Sequence, residues 1–312
     1  MDRFSALEAE LARRCPGLEL RSEEPMSKHT TFRIGGPARL MALPKTMEKA
    51  QTILKTAAEL GVDPFFLGNG SNLLVADRGY PGFVVKLVGE FEEICFHPAP
   101  KGGRPLLTAG GAALLSTLSK TALHWGLTGL EFASGIPGSV GGAVTMNAGA
   151  YGGEIAQVLE EVTALDLEGN RRTFSAGSCG FGYRRSVFSG GDFLILEATF
   201  QLDPGNPAAI KARMDELAAQ RKAKQPLEFP SAGSTFKRPP GYFAAALIDQ
   251  CGLKGLTVGG AQVSEKHAGF VINRGGASCA DVLALADQVK ERVFQQTNVE
   301  LELEIKVLGS GM

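Results

Sequence analysis

The chain has 312 residues, with 32 Lys and Arg against 33 Asp and Glu. This balance creates no overall field that would draw the molecule to nucleic acid or to an acidic membrane, so we expect neither as a partner. Because 44% of the residues are hydrophobic, the length suits two or three compact domains.

The cysteines and the N-terminus indicate a cytoplasmic protein. Five cysteines, an odd number without a CxxC pair, argue against a disulfide framework and against a thiolate zinc site. Residues 1–15 place Phe4, Leu7 and Leu11 at helical spacing among charges, which is unlike a signal peptide. No apolar stretch of the sequence approaches membrane-spanning length.

Apolar periodicity predicts a chain that mixes helices and strands. Thr46 is placed to cap a helix that runs through Leu60 and stops at Gly61. The turn Glu168-Gly169-Asn170 predicts a hairpin. Short runs rich in apolar residues predict strands at 65–67, 83–87, 106–109, 162–167, 173–175 and 193–202.

The composition changes at Asp203-Pro204-Gly205-Asn206-Pro207, where we expect a strand to stop and the main domain boundary to lie. Beyond this point the pattern predicts helices at 208–224, 243–251 and 278–296. It also predicts strands at 261–263, 270–273 and 299–308.

Two glycine-rich loops are candidate phosphate sites. In the first, residues 68–72, missing Cβ atoms let backbone N–H groups crowd around phosphate oxygens, although a tight turn without a ligand fits equally well. The second comprises residues 134–142 and 147–152. Together they offer neutral donors to both halves of a pyrophosphate, and we favour that interpretation. No Rossmann fingerprint or Walker lysine accompanies them.

The remaining polar motifs are less specific by themselves. Ser234 stands in the segment 232–239, where a hydroxyl and two cations suit either a phosphate site or a solvated loop. Arg184 and Glu304 give no signal alone. The four histidines lack metal-binding spacing, so we expect no metal site.

Taken together and in this order, these segments resemble the UDP-N-acetylenolpyruvoylglucosamine reductases. The resemblance begins at Thr30-Thr31-Phe32-Arg33-Ile34-Gly35-Gly36-Pro37-Ala38 and continues to Glu304-Ile305-Lys306-Val307, which is nearly the whole chain. Its most specific stretches are residues 68–72, 134–153, 224–239 and 266–270. Several separated motifs in one order make the resemblance specific.

The resemblance implies an α+β fold with two FAD-binding subdomains of the vanillyl-alcohol-oxidase (PCMH) type and a C-terminal α+β substrate-binding domain. The boundaries it implies are 1–88, with the N-terminal helix, 89–203, and 204–312, whose last strand returns toward the flavin site. It also implies non-covalent FAD, NADPH as the hydride donor and a UDP sugar nucleotide as the substrate. We expect a monomer.

In this family NADPH reduces FAD and leaves, after which the sugar nucleotide occupies the same face of the flavin. Hydride then passes from flavin N5 to the terminal enolpyruvyl carbon of UDP-N-acetylglucosamine enolpyruvate, which yields UDP-N-acetylmuramate for peptidoglycan synthesis. Negative charge builds on the adjacent carbon and its carboxylate, so donors matter most there, and a proton must reach that carbon.

Carried over residue by residue, the resemblance makes Ser234 the proton donor and places Arg184 and Glu304 against the substrate carboxylate and the developing enolate. No tyrosine occurs between Arg185 and Ser234, so the chain resembles the shorter form of the family, without a tyrosine-bearing substrate loop. The substrate-binding candidates are Tyr183, Lys237, Arg238 and His267. The FAD-binding candidates are Arg33, Gly35, Gly68, Asn69, Gly70, Ser71, Asn72, Ser134, Gly135, Pro137, Gly138, Ser139, Gly141, Gly142, Asn147, Gly149 and Ala150.

Two alternatives stay open at this point. Another FAD oxidase or dehydrogenase would share the FAD-binding subdomains but carry a different third domain, without the Ser234 and His267 segments. A degenerate flavin- or nucleotide-binding protein would have lost turnover, and the presence of Arg184, Ser234 and Glu304 argues against it.

Overall fold

The computed structural model describes residues 2–99 and 103–309, which divide into two compact units. Each unit is assembled from separate stretches of the chain. The first comprises Met1–Ser22, Leu40–Asn69 and Gly82–Ala219, and the second comprises Glu23–Arg39, Gly70–Pro81 and Gln220–Met312.

Capping residues that are visible in the sequence set several helix boundaries. Thr46 Oγ1 accepts a hydrogen bond from the backbone N–H of Lys49, and Ser278 and Asp281 form a reciprocal capping box. The helices are α1 (Arg3–Arg14), α2 (Met47–Glu59), α3 (Leu115–His124), α4 (Val140–Thr145), α5 (Pro207–Lys224), α6 (Ala244–Gln250) and α7 (Cys279–Thr297).

The strands are mostly short and form sheets of two to five members. In chain order they are β1 (Glu19–Pro25), β2 (Pro37–Leu43), β3 (Pro64–Phe66), β4 (Leu73–Val75), β5 (Tyr80–Val85), β6 (Ile94–His97), β7 (Leu106–Gly110), β8 (Leu127–Thr128), β9 (Gly149–Ala150), β10 (Gly153–Glu154), β11 (Leu159–Asp166), β12 (Arg171–Ser175), β13 (Phe193–Gln201), β14 (Asp203–Pro204), β15 (Thr257–Val258), β16 (Ala261–Val263), β17 (Val271–Asn273) and β18 (Lys306–Leu308).

The first unit contains an antiparallel sheet with the strand order β12-β11-β13-β7-β6. The β11–β12 hairpin turns at Gly169, whose φ of 77° favours a residue without a Cβ atom. Leu107, Val162 and Phe200 from this sheet are fully buried in one cluster with side chains of α3 and α4. This core supports the loop that precedes α4.

A second core of the same unit combines α1 and α2 with strands of the sheet β1-β2-β5-β3. Leu7 and Leu11 of α1, Ile53 and Leu54 of α2, and Phe83 of β5 are all fully buried in it. The burial of Leu7 and Leu11 agrees with the helical spacing of the N-terminal residues.

The second unit combines α6 and α7 with the antiparallel sheet β15-β16-β17. Val282, Leu285 and Val289 form the fully buried face of α7. Early segments of the chain complete this unit, because Phe32 lies in the same core and β4 pairs in parallel with β18. The C-terminal strand is therefore anchored by residues that directly follow the first glycine loop.

The helix from Thr46 and the hairpin at Gly169 are confirmed, and the other predicted elements mostly lie within a few residues of the observed ones. The sequence does not predict α3, α4 or half of the strands, among them β1 and β2. The strand expected over 299–308 is wrong in extent, since β18 covers residues 306–308 and an isolated bridge at Leu303 precedes it. Pro204 does not stop strand pairing, because β14 pairs with β8. Proline keeps its carbonyl acceptor, which suffices at the end of a short edge strand.

The boundaries expected after residues 88 and 203 stay predictions, because the two units do not test a division into three domains. Within the described residues, no helix combines the length and the apolar character needed to cross a membrane.

Gly36 makes a close contact that a larger residue would disrupt. A Cβ atom at Gly36 would lie 2.3 Å from the backbone oxygen of Asp77 and 2.6 Å from the backbone nitrogen of Gly79. We predict that Gly36→Ala lowers the free energy of unfolding by about 1–3 kcal/mol, because overpacking forces the backbone to shift.

Gly177→Ala is the matched control, since no heavy atom lies within 4 Å of its Cβ position. Urea denaturation of both variants measures the difference. Equal stability of the two variants would contradict the packing argument.

Candidate active site

Within the first unit, the start of the first glycine loop packs against the second loop. A Cβ atom at Gly68 would lie 2.5 Å from Ser139 Oγ, so a larger residue would displace this hydroxyl. Asn69 Nδ2 donates a hydrogen bond to the backbone oxygen of Pro137 at 2.6 Å. Ser139 is buried and caps α4 by accepting from the N–H of Gly142 at 3.4 Å. The structure thus brings these five FAD-binding candidates together.

The rest of the second loop is tied to the chain around it. The backbone oxygen of Gly138 accepts from the first N–H of α3 at 3.0 Å, and the N–H of Gly141 donates to the backbone oxygen of Gly111 at 2.8 Å. Ser134 Oγ donates to a backbone oxygen three residues earlier, at 2.9 Å. Gly135 is exposed. The loop therefore has a fixed conformation with an accessible edge.

Asn147 connects the second loop to the segment that carries Arg184. Asn147 is 2% exposed, and its Nδ2 donates to the backbone oxygen of Gly182 at 3.3 Å. Its Oδ1 accepts a backbone N–H from the short helical turn that follows the loop, at 3.0 Å. Gly149 and Ala150 form β9, and the backbone oxygen of Gly149 accepts from Arg184 Nη2 at 3.3 Å.

Arg184 has a backbone conformation that residues with a side chain seldom adopt. Its φ is 55°, in a turn closed by a bridge between Gly182 and Arg185. The guanidinium carbon of Arg184 lies 5.1 Å from the ring centroid of Tyr183, which is exposed. A strained backbone conformation persists only where neighbouring contacts hold it, and such residues are common at functional sites. The turn therefore fixes the backbone from which the Arg184 guanidinium extends.

The second unit contains the remaining FAD-binding candidates. Gly70 has a φ of 62°, and a Cβ atom there would lie 2.1 Å from the backbone oxygen of His29. Gly35 has a φ of 130°, and a Cβ atom there would lie 2.5 Å from the last side chain of β4. Arg33 is exposed and Ser71 is half-buried.

Ser234 and Glu304 stand on neighbouring segments of the second unit, and both are half-buried. The N–H of Glu304 donates to the backbone oxygen of Thr235 at 2.8 Å. Thr235 is 1% exposed, and its Oγ1 accepts from the first N–H of β17 at 3.0 Å. Asn72 Nδ2 donates to the backbone oxygen of Glu304 at 3.1 Å. Gly233, with a φ of 75°, shapes the turn before Ser234.

His267 lines a surface cleft of the second unit with a volume of about 260 Å³, in which three lysines and one aspartate also take part. His267 Nδ1 accepts from the N–H of Gly269 at 3.2 Å, so the neutral ring carries its proton on Nε2. Burial lowers the pKa of His267, and the charges of Lys254 and Lys224 lower it further. Lys254 Nζ pairs with Asp249 at 2.6 Å, but three lysines against one aspartate leave the cleft with a net positive charge. Together with the neutral His267 donor, this charge suits an anionic ligand.

Sequence reasoning did not name the cleft lysines as ligands, although Lys224 and Lys266 lie in the motif stretches 224–239 and 266–270. Lys224 ends α5 and Lys254 follows α6, so folding brings them to His267 and no local spacing reveals them. Two of the substrate-binding candidates have other partners: Lys237 Nζ donates to Glu302 at 2.8 Å, and the guanidinium of Arg238 lies 3.9 Å from a phenylalanine ring centroid. Among the described residues, no group of three His, Cys, Asp or Glu side chains could hold a metal ion.

Comparison with known proteins places this geometry among flavoenzymes. A family profile for an FAD binding domain matches residues 38–175, and one for the C-terminal domain of UDP-N-acetylenolpyruvoylglucosamine reductase matches residues 225–308. The chain is 46% identical over 291 residues to a UDP-N-acetylenolpyruvoylglucosamine reductase from Clostridioides difficile, covering 93% of this chain and 94% of the relative. It is 48% identical over 300 residues to that from Agathobacter rectalis, covering 94% and 95%.

A solved structure gives the same result. The crystal structure of a UDP-N-acetylenolpyruvylglucosamine reductase from Thermus caldophilus is 37% identical and superimposes with a TM-score of 0.78, covering 93% of this chain and 98% of that one. Together with the FAD-binding profile, it confirms the fold class expected from the sequence.

The lowered pKa of His267 gives stability a pH dependence of defined sign. In the unfolded chain its pKa is about 6.5. Between the folded and unfolded values the unfolded state binds more protons, so the free energy of unfolding falls below about pH 6.5 and levels off below the folded pKa. We predict that His267→Gln removes this contribution, as measured by urea denaturation between about pH 8 and 5. An unchanged slope in the variant would contradict the burial argument.

Proposed function

We propose, because this chain belongs to the UDP-N-acetylenolpyruvoylglucosamine reductase family, that Ser234, Arg184 and Glu304 are its catalytic residues. The chain is an FAD-dependent oxidoreductase that uses NADPH to reduce UDP-N-acetylglucosamine enolpyruvate to UDP-N-acetylmuramate, a step of peptidoglycan precursor synthesis. When bound, FAD accepts hydride from NADPH and delivers it to the sugar nucleotide.

The two glycine loops have the chemistry needed to hold the flavin pyrophosphate. Their donors are backbone N–H groups, the remaining N–H of the Asn69 amide and the Ser71 hydroxyl, all of them neutral, whereas Ser139 is buried and caps α4. Such groups bind phosphate oxygens when the backbone can come close. Gly68 and Gly70 let the first loop pack tightly against Ser139 and His29, which fixes the backbone that carries these donors. We infer that FAD is held here without a covalent bond.

Arg184 fits the role of carboxylate ligand. Its guanidinium is always charged and planar, so it can bind the enolpyruvyl carboxylate in bidentate fashion and stabilise negative charge that develops beside it. The contact of Nη2 with the backbone oxygen of Gly149 limits its freedom. Less conformational freedom is then lost when substrate binds.

Ser234 fits the role of proton donor, and the observation that carries this proposal is the backbone around it. Gly233 fixes the turn before Ser234, and the buried Thr235 fixes the chain after it through hydrogen bonds to β17 and to Glu304. A hydroxyl is a weak acid in water, so a donor of this kind depends on being positioned. The proton is added to the carbon next to the one that accepts hydride, and it neutralises the negative charge that has built up there.

We propose that the cleft of the second unit binds the pyrophosphate of the UDP group. Lys224 and Lys254 supply charge, and His267 in its neutral form donates from Nε2. The predicted roles of Lys237, Arg238 and Tyr183 as substrate ligands stay proposals, since Lys237 pairs with Glu302 in this structure.

We also propose that the enzyme is monomeric and cytoplasmic. All five cysteines are free thiols, as expected in a reducing compartment. Light scattering on the purified holoenzyme measures the mass, and a dimer mass would contradict the first proposal.

The proton-donor role of Ser234 leads to a direct test. We predict that Ser234→Ala leaves reduction of bound FAD by NADPH close to normal, while oxidation of reduced FAD by the enolpyruvyl substrate slows by about 10²–10⁴-fold. Anaerobic stopped-flow absorbance separates the two half-reactions. A thiol is more acidic than a hydroxyl, so Ser234→Cys should restore part of the rate. Wild-type reoxidation in Ser234→Ala would exclude Ser234 as the acid.

The proposed pyrophosphate site leads to a second prediction, which concerns binding of the sugar nucleotide. Lys254→Met removes a cation from the proposed pyrophosphate site, so KM for the sugar nucleotide should rise about tenfold while kcat changes little. Lys211→Met is the matched control, because both lysines form a surface ion pair with an aspartate: Lys254 with Asp249 at 2.6 Å, and Lys211 with Asp215 at 2.7 Å. Steady-state kinetics measure both variants. An unchanged KM in Lys254→Met would refute the assignment of the cleft.

A further inference from the structure

We propose that Asn72 is a positioning residue that fixes the main chain of Glu304. The sequence alone suggests that Asn72 binds the cofactor, as a member of the first glycine loop. The structure adds a contact that the cofactor does not require, namely a hydrogen bond to the residue that carries a catalytic carboxylate. This inference rests on the proposed role of Glu304.

The contacts hold Glu304 from two sides. Its N–H donates to the backbone oxygen of Thr235 at 2.8 Å, and its own oxygen accepts from Asn72 Nδ2 at 3.1 Å. The N–H of Lys306 donates to the backbone oxygen of Asn72 at 2.9 Å. Asn72 thus binds the chain before and after Ile305 and fixes the position of Glu304 along it.

The hydrogen bond from Asn72 lies where the C-terminal chain changes its pairing partner. On one side Leu303 forms an antiparallel bridge with Phe236, and on the other Lys306 begins the parallel ladder between β18 and β4. At the change, the oxygen of Glu304 needs a donor that lies outside both ladders. The Asn72 amide supplies one from a side chain.

The direction of the Glu304 carboxylate follows from the peptide groups on either side of it. If the peptide after Glu304 loses its donor and rotates, the carboxylate moves with it. A displacement of about 1 Å at a reacting centre can cost on the order of 10²-fold in rate. A residue that binds the main chain can therefore set a catalytic rate without touching the substrate.

Asn72→Asp is the informative substitution, because aspartate has the same shape but its carboxylate cannot donate a hydrogen bond. In the FAD-loaded enzyme we expect reduction of FAD by NADPH to stay within about twofold of wild type, while reoxidation by the enolpyruvyl substrate slows about tenfold or more. Asn72→Gln keeps an amide donor and should recover part of the rate. It also provides a second test if Asn72→Asp does not fold.

Asn206→Asp is the matched control for the added charge. Asn206 Oδ1 accepts from the N–H groups of Ala208 and Ala209 at the start of α5, and aspartate accepts them equally well. We expect wild-type rates in both half-reactions. Loss of FAD from Asn72→Asp, with normal reoxidation in the holoenzyme that remains, would make Asn72 a cofactor ligand and overturn the proposal.

A double-mutant cycle with Glu304→Ala isolates the coupling between the two residues. If Asn72 acts through Glu304, Asn72→Asp should change reoxidation by less than about twofold once the carboxylate is absent. A slow Glu304→Ala enzyme in which the two effects multiply would refute the positioning role alone. A wild-type reoxidation rate in Glu304→Ala would instead refute the proposed role of Glu304.

Discussion

Buried main-chain groups in irregular segments need hydrogen-bond partners, and this requirement shapes both units. Regular sheets provide such partners, but the glycine-rich loops and the C-terminal segment have few of them. Buried polar side chains supply the rest. Asn273, 8% exposed, donates to the backbone oxygen of Phe32 and accepts from the N–H groups of Gly275 and Ala277. Thr235 and Asn147 do the same in their own segments.

A polar residue beside a candidate site can therefore bind a ligand, hold the main chain in place, or do both, and an experiment must separate these two functions. Asn147 resembles a cofactor ligand in sequence, yet its amide is used within the first unit, at the turn that carries Arg184. Its removal would leave buried groups without partners, which costs about 1–3 kcal/mol each. Loss of activity in such a variant would therefore not identify a ligand. The half-reactions separate these roles, because a positioning defect affects one chemical step more than flavin binding.

Local rules explain how much of the fold the sequence could predict. Thr46 and Ser278 mark helix starts because an N-cap acts within four residues, and Gly169 marks a turn because its φ is positive. The C-terminal strand could not be delimited in this way. Its alternating pattern continues across residues 299–308, while its pairing changes from Phe236 to β4 through contacts more than 60 residues away.

The site shows the same division between motif and tertiary contact. The resemblance supplied Arg184, Ser234 and Glu304 from short motifs, and the curated relatives support the reaction. Lys224 and Lys266 also lie in motif stretches, but neither their meeting with Lys254 in one cleft nor the Asn72 contact follows from a motif. These features depend on residues that meet through folding. Their chemistry becomes visible when the distances are known.

The cleft shows how burial and charge together select a protonation state. An imidazolium beside Lys224 and Lys254 would add like charge in a partly desolvated place, and the N–H of Gly269 already occupies Nδ1. Both effects favour the neutral ring. A neutral ring still donates from Nε2, so the cleft gains a directed hydrogen bond without further repulsion in the empty state. A bound pyrophosphate would oppose the effect of the lysines, because anionic oxygens stabilise the protonated ring. If the cleft binds the pyrophosphate as proposed, ligand binding and proton uptake at His267 are therefore linked.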